Sequence, residues 1–247
     1  MPPIVIPPME KKPDVDATDT PILKPKISTA VYFSFYVPFV LLLTTGTITF
    51  IEALRTPDPA VRHIMNLETC ISIVAGYFYS IFAAKLDDWN AKGMAIDWSY
   101  LAITRYTDWA ITTPLMLLGL CLVSKSNTHI PVTVSIITLV WLLNYVMLYI
   151  GYLGETGGLS RWTATWMGFL PFFAMMYVIF TVFILPKYNL ANYVLFFMYL
   201  IVWSMYGLCY MLTDAYRNIA LNALDCLSKC LVGLGLWAYY TKVIQIK

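Results

Sequence analysis

Residues 225–229 read DCLSK, and they interrupt an apolar segment that runs from about 216 to 242. On a helix, an aspartate and a lysine four residues apart share one face. In hydrocarbon each is costly unless it finds a partner. A chain that keeps Asp225 and Lys229 at such a place must enclose them among other helices, so this stretch sets the fold to be looked for.

Six further apolar segments of the required length precede it. The spans fall at about 29–54, 62–84, 97–123, 130–152, 160–185 and 189–213, with 216–242 the seventh. The breaks read RTPDPAVR, LDDWNAKG, SKSNTH, GETGG, LPKYN and TDAYRN. Loops this short favour antiparallel neighbours. The expected fold is therefore an all-α membrane protein, a bundle of seven transmembrane helices. Composition agrees: 60% of the 247 residues are hydrophobic and 12% charged, too apolar for an ordinary soluble domain. A net charge of +2 gives no sign of a nucleic-acid partner. The five cysteines lie inside apolar segments without metal-ligand spacing, so they read as reduced core residues and no metal is expected. Residues 1–27 hold half of the prolines and balanced charge, and read as a disordered tail before a single domain over 28–247.

Charge asymmetry sets direction. With the N-terminus extracellular and the C-terminus cytoplasmic, Arg55, Arg62, Lys125, Lys187 and Lys242 fall inside. Asp87, Asp88, Glu155 and Asp214 then fall outside, which is a positive-inside pattern.

Depth follows from the helical rise. Lys229 lies twelve residues beyond Arg217, roughly 18 Å along its span, and Asp108 eleven beyond Asp97, roughly 16 Å along the third. Both spans start on the same side, so the amine and Asp108 meet at one level. Asp225 and Arg105 sit about one turn nearer the outside. A buried ion cluster rarely persists for stability alone. A shielded lysine can instead form an imine with a carbonyl, and that imine, protonated, needs carboxylate counterions such as Asp108 and Asp225.

With these residues in place, the chain resembles the microbial (type 1) rhodopsins. RYTDWAITTPLML (105–117), WSMYGLCY (203–210) and DCLSK carry the resemblance, in this order and on spans three, six and seven. It implies all-trans retinal held on Lys229 as a protonated Schiff base. It implies Asp108 as primary counterion and proton acceptor, Asp225 as second counterion, and Arg105 on the extracellular side of the site. It implies a chromophore pocket that includes Trp109, Thr113, Trp203, Tyr206 and Tyr210. Tyr79, in YFYSIF, matches a tyrosine that hydrogen-bonds the second aspartate, and Trp166 is the nearest match for a ring-packing tryptophan on span five. Thr113 is expected to face Asn144.

What light does is a separate question. The third position of the family's three-letter signature, Asp108, Thr112, Gly119, is an aspartate in well-studied pumps, and Gly119 cannot replace it. Glu68 is expected beside Gly119, about 9 Å into the cytoplasmic half, where it could hold a proton for delivery or line a cation path. Arg217 stands where pumps of this kind have a releasing glutamate, with Asp214 an acid lacking an obvious mate. The stretch 50–82, with Glu52, Arg55 and Glu68, resembles rhodopsins of large algal viruses, some described as light-gated cation channels and others as proton pumps. The reading therefore favours a light-gated cation channel. The alternative is a light-driven outward proton pump with Glu68 as donor, and a sensory photoreceptor with a separate transducer is the third possibility. An enzyme is not expected. The expected partners are membrane lipid, small cations or protons, and further copies of the chain as a homo-oligomer. The expected location is the plasma membrane of the host cell.

Overall fold

The computed structural model describes residues 27–245, so the expected tail, apart from Ile27, lies outside the described residues. Seven helical spans are long and apolar enough to cross a membrane. They are α1 (Thr29–Arg55), α2 (Pro59–Lys92), α3 (Trp98–Thr128), α4 (Val134–Glu155), α5 (Arg161–Ile179, continued by a π-helical turn Phe180–Ile184) and α6 (Leu190–Cys209). The seventh is α7 (Asp214–Asp225), which passes through a π-helical turn (Cys226–Leu231) into α8 (Val232–Tyr240).

Helix starts are fixed by side chains that accept from the first free backbone N–H groups. Ser28, Asp58, Asp97, Thr133, Ser160 and Asn189 do so for α1 to α6. Two helix ends differ from expectation. α2 continues through LDDWNAK to Lys92, where Gly93, at φ 64°, stops it in a left-handed turn. α3 continues to Thr128, where His129, at φ 63°, ends it in a left-handed turn with its N–H on the Lys125 carbonyl. Polarity marks where a span leaves hydrocarbon. It does not mark where a helix must end.

Contacts alternate the direction of successive spans. Tyr36 at the start of α1 bonds Asp87 near the end of α2, and Lys85 near the end of α2 lies over the ring of Tyr100 at the start of α3. The bundle thus has a proximal end, where α1 begins, and a distal end, where α8 finishes. Pro114 lies inside α3 and has no N–H to offer the carbonyl of Ala110. The Tyr145 hydroxyl of α4 donates to that carbonyl at 3.2 Å, which ties the two helices where the proline breaks the ladder. Large apolar side chains such as Phe33, Val134, Leu170 and Phe173 point outward, as lipid-facing positions do. Charged side chains gather at the centre instead.

Candidate functional site

Lys229 sits in the π-helical turn and is almost completely buried. Its Nζ donates to Asp108 Oδ2 at 2.7 Å and stands 3.5 Å from Asp225 Oδ1. Spans three and seven therefore meet at the level that the depth arithmetic expects. π-helical turns are rare and concentrate at functional positions.

Each carboxylate has its own set of donors. Thr112 donates to Asp108 Oδ1 at 3.3 Å. Asp225 accepts from Tyr79 at 2.7 Å on one oxygen and from Tyr206 at 2.7 Å on the other. Arg105 adds a 3.3 Å ion pair to Asp225. Buried charges survive only with such pairing and hydrogen bonding. One lysine and one arginine face two aspartates, so the cluster is formally neutral.

Arg105 is held by more than the aspartate. Its second terminal nitrogen donates to Asn222 Oδ1 at 2.7 Å and to Asn218 Oδ1 at 3.3 Å, and Asn222 in turn donates to Ser34 of α1 at 3.1 Å. These partners were not singled out in the sequence. A signal was present: 218, 222, 225 and 229 recur every three or four residues, one polar stripe on an otherwise apolar helix.

Beside the lysine lies a mostly apolar cavity of about 120 Å³. Trp109, Thr113, Trp203, Tyr206 and Tyr210 all line it, and Asp225 and Lys229 close one side. The Trp109 and Tyr206 rings meet edge-on at 5.5 Å. Asn144 donates to Thr113 at 2.8 Å behind the wall. Tyr79 is not among the lining residues; it acts on Asp225 from the far side.

Trp166 does not reach the cavity. It is 58% exposed and stacks on Trp162 at 5.9 Å, facing outward. The helical register explains this: Ala164, Thr165, Gly168, Phe169 and Phe172 form the inward stripe of α5, and position 166 falls on the opposite side. The expectation that Trp166 packs against a bound ring is corrected accordingly.

Glycines shape the wall. A Cβ on Gly207 would lie 2.6 Å from Phe169 Cζ, and one on Gly151 would collide with the Tyr106 hydroxyl. Gly207→Ala should force the Phe169 ring toward the cavity at about 1–3 kcal/mol of overpacking. The expected result is a displaced absorption maximum and slower pigment formation. An unchanged spectrum would mean that the ring escapes outward.

In the distal half, Glu68 is 2% exposed and its Oε1 has no hydrogen-bond partner among the described residues. That oxygen lies 3.4 Å from where a Cβ on Gly119 would be, and Oε2 lies 3.3 Å from the equivalent point on Gly233. Glu68 thus stands beside Gly119 as expected, in space that two glycines leave open. The hydroxyls of Thr45 and Ser72 are likewise buried without partners, and Thr49 and Thr69 bond each other at 2.9 Å.

Near the proximal end, Asp214 has mates that the sequence did not reveal: Arg217 at 2.8 Å and Arg161 at 3.5 Å. Glu155 was read only as a loop acid. Its side chain is 7% exposed and lies 3.6 Å from Arg217.

A family model described as bacteriorhodopsin-like protein matches residues 29–243. The chain belongs to the bacteriorhodopsin-like family. Among solved structures, viral rhodopsin OLPVRII superposes on this rhodopsin with a TM-score of 0.80 at 42% identity, covering 87% of this chain and 99% of that one. The green-light absorbing proteorhodopsin of Gamma-proteobacterium EBAC31A08 is 28% identical over 150 residues, which is 55% of this chain and only 59% of that relative's length. Xanthorhodopsin, described as a light-driven ion pump with dual chromophore, shares the fold at a TM-score of 0.69 and 19% identity, over 84% of this chain and 90% of that one.

The protein is therefore a multi-pass membrane rhodopsin, of a family that carries retinal. The cavity suits such a chromophore on its own terms: it is mostly apolar, glycines widen it, and a buried amine flanked by two carboxylates lies at its edge.

Proposed function

We propose that this rhodopsin moves cations across the membrane in response to light, with all-trans retinal joined to Lys229, and that the proton is the ion its residues serve best. The observation that carries the reading is the placement of carboxyl groups on both sides of one buried amine. Asp108 touches Lys229 Nζ at 2.7 Å, and Glu68 lies enclosed and unpartnered in the distal half. Retinal, when bound, supplies a light-driven isomerisation that redirects the N–H of its protonated imine. Asp108 Oδ2 is in reach to accept that proton, and Thr112 at 3.3 Å stabilises the resulting carboxyl. Asp225 remains charged under its two tyrosines and Arg105, so one carboxylate stays beside the nitrogen throughout. Glu68 holds the proton that later restores the nitrogen.

In this reading the proximal end is extracellular and the distal end cytoplasmic, as the basic loops suggest. The protein is a photoreceptor and not an enzyme, it sits in the host plasma membrane, and it assembles with its own copies. A light-gated cation channel is the second reading. It is favoured by the oxygen-rich surroundings of Glu68, where the hydroxyls of Thr45, Thr49, Thr69 and Ser72 lie between α1 and α2. A sensory role would require a separate transducer.

Photocurrent against voltage in a clamped cell separates the transport readings. A pump current keeps one sign, whereas a channel current reverses at a potential set by the ion gradients. Replacing Glu68 by glutamine should slow recovery of the resting pigment about 100-fold if it delivers the proton. In a channel it should alter current size or ion preference. A Glu68→Gln protein with unchanged recovery and unchanged currents would leave Glu68 without a transport role.

A further inference from the structure

The cavity beside Lys229 has two ends of different chemistry. Asp225 and Lys229 close one side, where the lysine anchors the aldehyde end of retinal. α4 packs on α3 and α5, and α5 on α4 and α6, so these two helices form the wall opposite the seventh span. They bring Met147, Leu148, Gly151, Ala164, Thr165 and Gly168 to it. The ring of a retinal held on Lys229 belongs at this end. That ring is pure hydrocarbon, and apolar side chains alone would suffice to enclose it.

Three hydroxyl groups stand there as well. Tyr106, Tyr210 and Thr165 all line the cavity. The Tyr210 hydroxyl donates to the Gly151 carbonyl at 3.0 Å, which leaves its oxygen free to accept. Thr165 is likewise engaged as a donor, to the Arg161 carbonyl at 2.8 Å. Tyr106 differs from both. Its hydroxyl abuts Gly151 so closely that a Cβ there would collide with it, yet it has no hydrogen-bond partner among the described residues. Packing accounts for the ring of Tyr106, which meets Trp109 edge-on at 5.3 Å and Tyr152 at 5.9 Å. Phenylalanine would make the same contacts. The O–H therefore calls for a partner, because a shielded donor left unsatisfied is costly. Room for one exists nearby: a Cβ added to Gly168 would touch nothing closer than 4.0 Å.

We propose that this cavity is built for a retinal that carries a hydroxyl group on its ring, and that Tyr106 is the residue that selects it. The phenol donates to the ligand oxygen. The ligand O–H in turn has the oxygens of Tyr210 and Thr165 in the same wall to accept it. A plain retinal also reaches Lys229 but offers Tyr106 no oxygen. The ring is remote from the imine, so the parts played by Lys229, Asp108 and Asp225 are the same with either chromophore. This rests on the attachment of retinal to Lys229 proposed above.

The test supplies the full-length apoprotein with an equimolar mixture of all-trans retinal and all-trans 3-hydroxyretinal. The bound chromophores are then extracted and separated by chromatography. The hydroxylated form should be retained about five- to ten-fold over retinal, the worth of one neutral hydrogen bond. Tyr106→Phe should bring that ratio to about one. It should also remove a shift of the tyrosine C–O stretch that distinguishes the two parental pigments in the infrared. A parental ratio near one would mean that water from the smaller cavity, which Tyr106 and Tyr210 also border, satisfies the phenol, and it overturns the proposal. A preference that survives Tyr106→Phe overturns it too. If Tyr106→Phe forms no pigment, the ratio and the infrared comparison in the parent decide alone. Absence of visible pigment with either chromophore would instead overturn the attachment at Lys229.

Discussion

Lys229→Ala should leave the protein colourless when retinal is supplied, a complete loss of visible absorption. The cavity offers no second amine: among its lining residues Lys229 alone carries one. Colour in this setting requires a positively charged nitrogen conjugated with the polyene, and only a covalent bond at Nζ supplies it. The substitution also strips Asp108 of its 2.7 Å partner, and breaking a buried pair costs about 3–5 kcal/mol. A poorly folded protein would be colourless for the wrong reason. Lys229→Ala combined with Asp108→Asn removes the stranded charge, and the double variant should regain yield and helicity by circular dichroism while staying colourless. Visible absorption in either variant would overturn the assignment of Lys229.

Asp108→Asn should shift the absorption maximum to the red and reduce light-driven transport about 100-fold or more. The carboxylate in contact with Nζ stabilises charge at that atom in the dark. Excitation moves positive charge away along the polyene, so losing Asp108 narrows the energy gap. Asparagine is nearly isosteric and can still accept from Thr112, so packing should survive. It cannot take up a proton, which is the basis of the transport loss. Asp225 is a poor substitute because it stands 3.5 Å from the nitrogen and is engaged by Tyr79, Tyr206 and Arg105. The absorption spectrum and the photocurrent of one preparation check both parts. An unmoved maximum would show that Asp108 is not the primary counterion.

Much of this site is legible in the sequence because hydrocarbon penalises charge so heavily. Seven apolar runs fixed the number of spans, and helical rise alone brought Lys229, Asp108, Asp225 and Arg105 to one region. Glu68 beside Gly119 followed from the helical rise together with the family resemblance, in which Tyr79 fixes the register of α2. Features that depend on side-chain direction were harder to read. Trp166 is one residue off the inward stripe of α5, and no count of tryptophans reveals which way a lipid-bathed helix is rotated. Asn218, Asn222 and Ser34 are uncharged and carry little signal alone, although the spacing of the two asparagines could have exposed them. Glu155 looked like a loop residue because GETGG reads as a turn. The structure folds the end of α4 over Arg217 and so buries it. Helix ends were misplaced for a related reason: past the membrane boundary, α2 and α3 are solvated but still capped and hydrogen-bonded.

The continuation of α2 to Lys92 has a practical consequence. Its last eight residues span roughly 12 Å as a stiff mast rather than a slack tether. Tyr36 grips it at Asp87, and the Lys92–Asp88 pair at 2.7 Å braces its surface. A spin label at the exposed Asn90 would therefore ride on the second span as a rigid pointer. Paired with a label at the start of α5, it would translate small tilts during illumination into sharply defined distance changes.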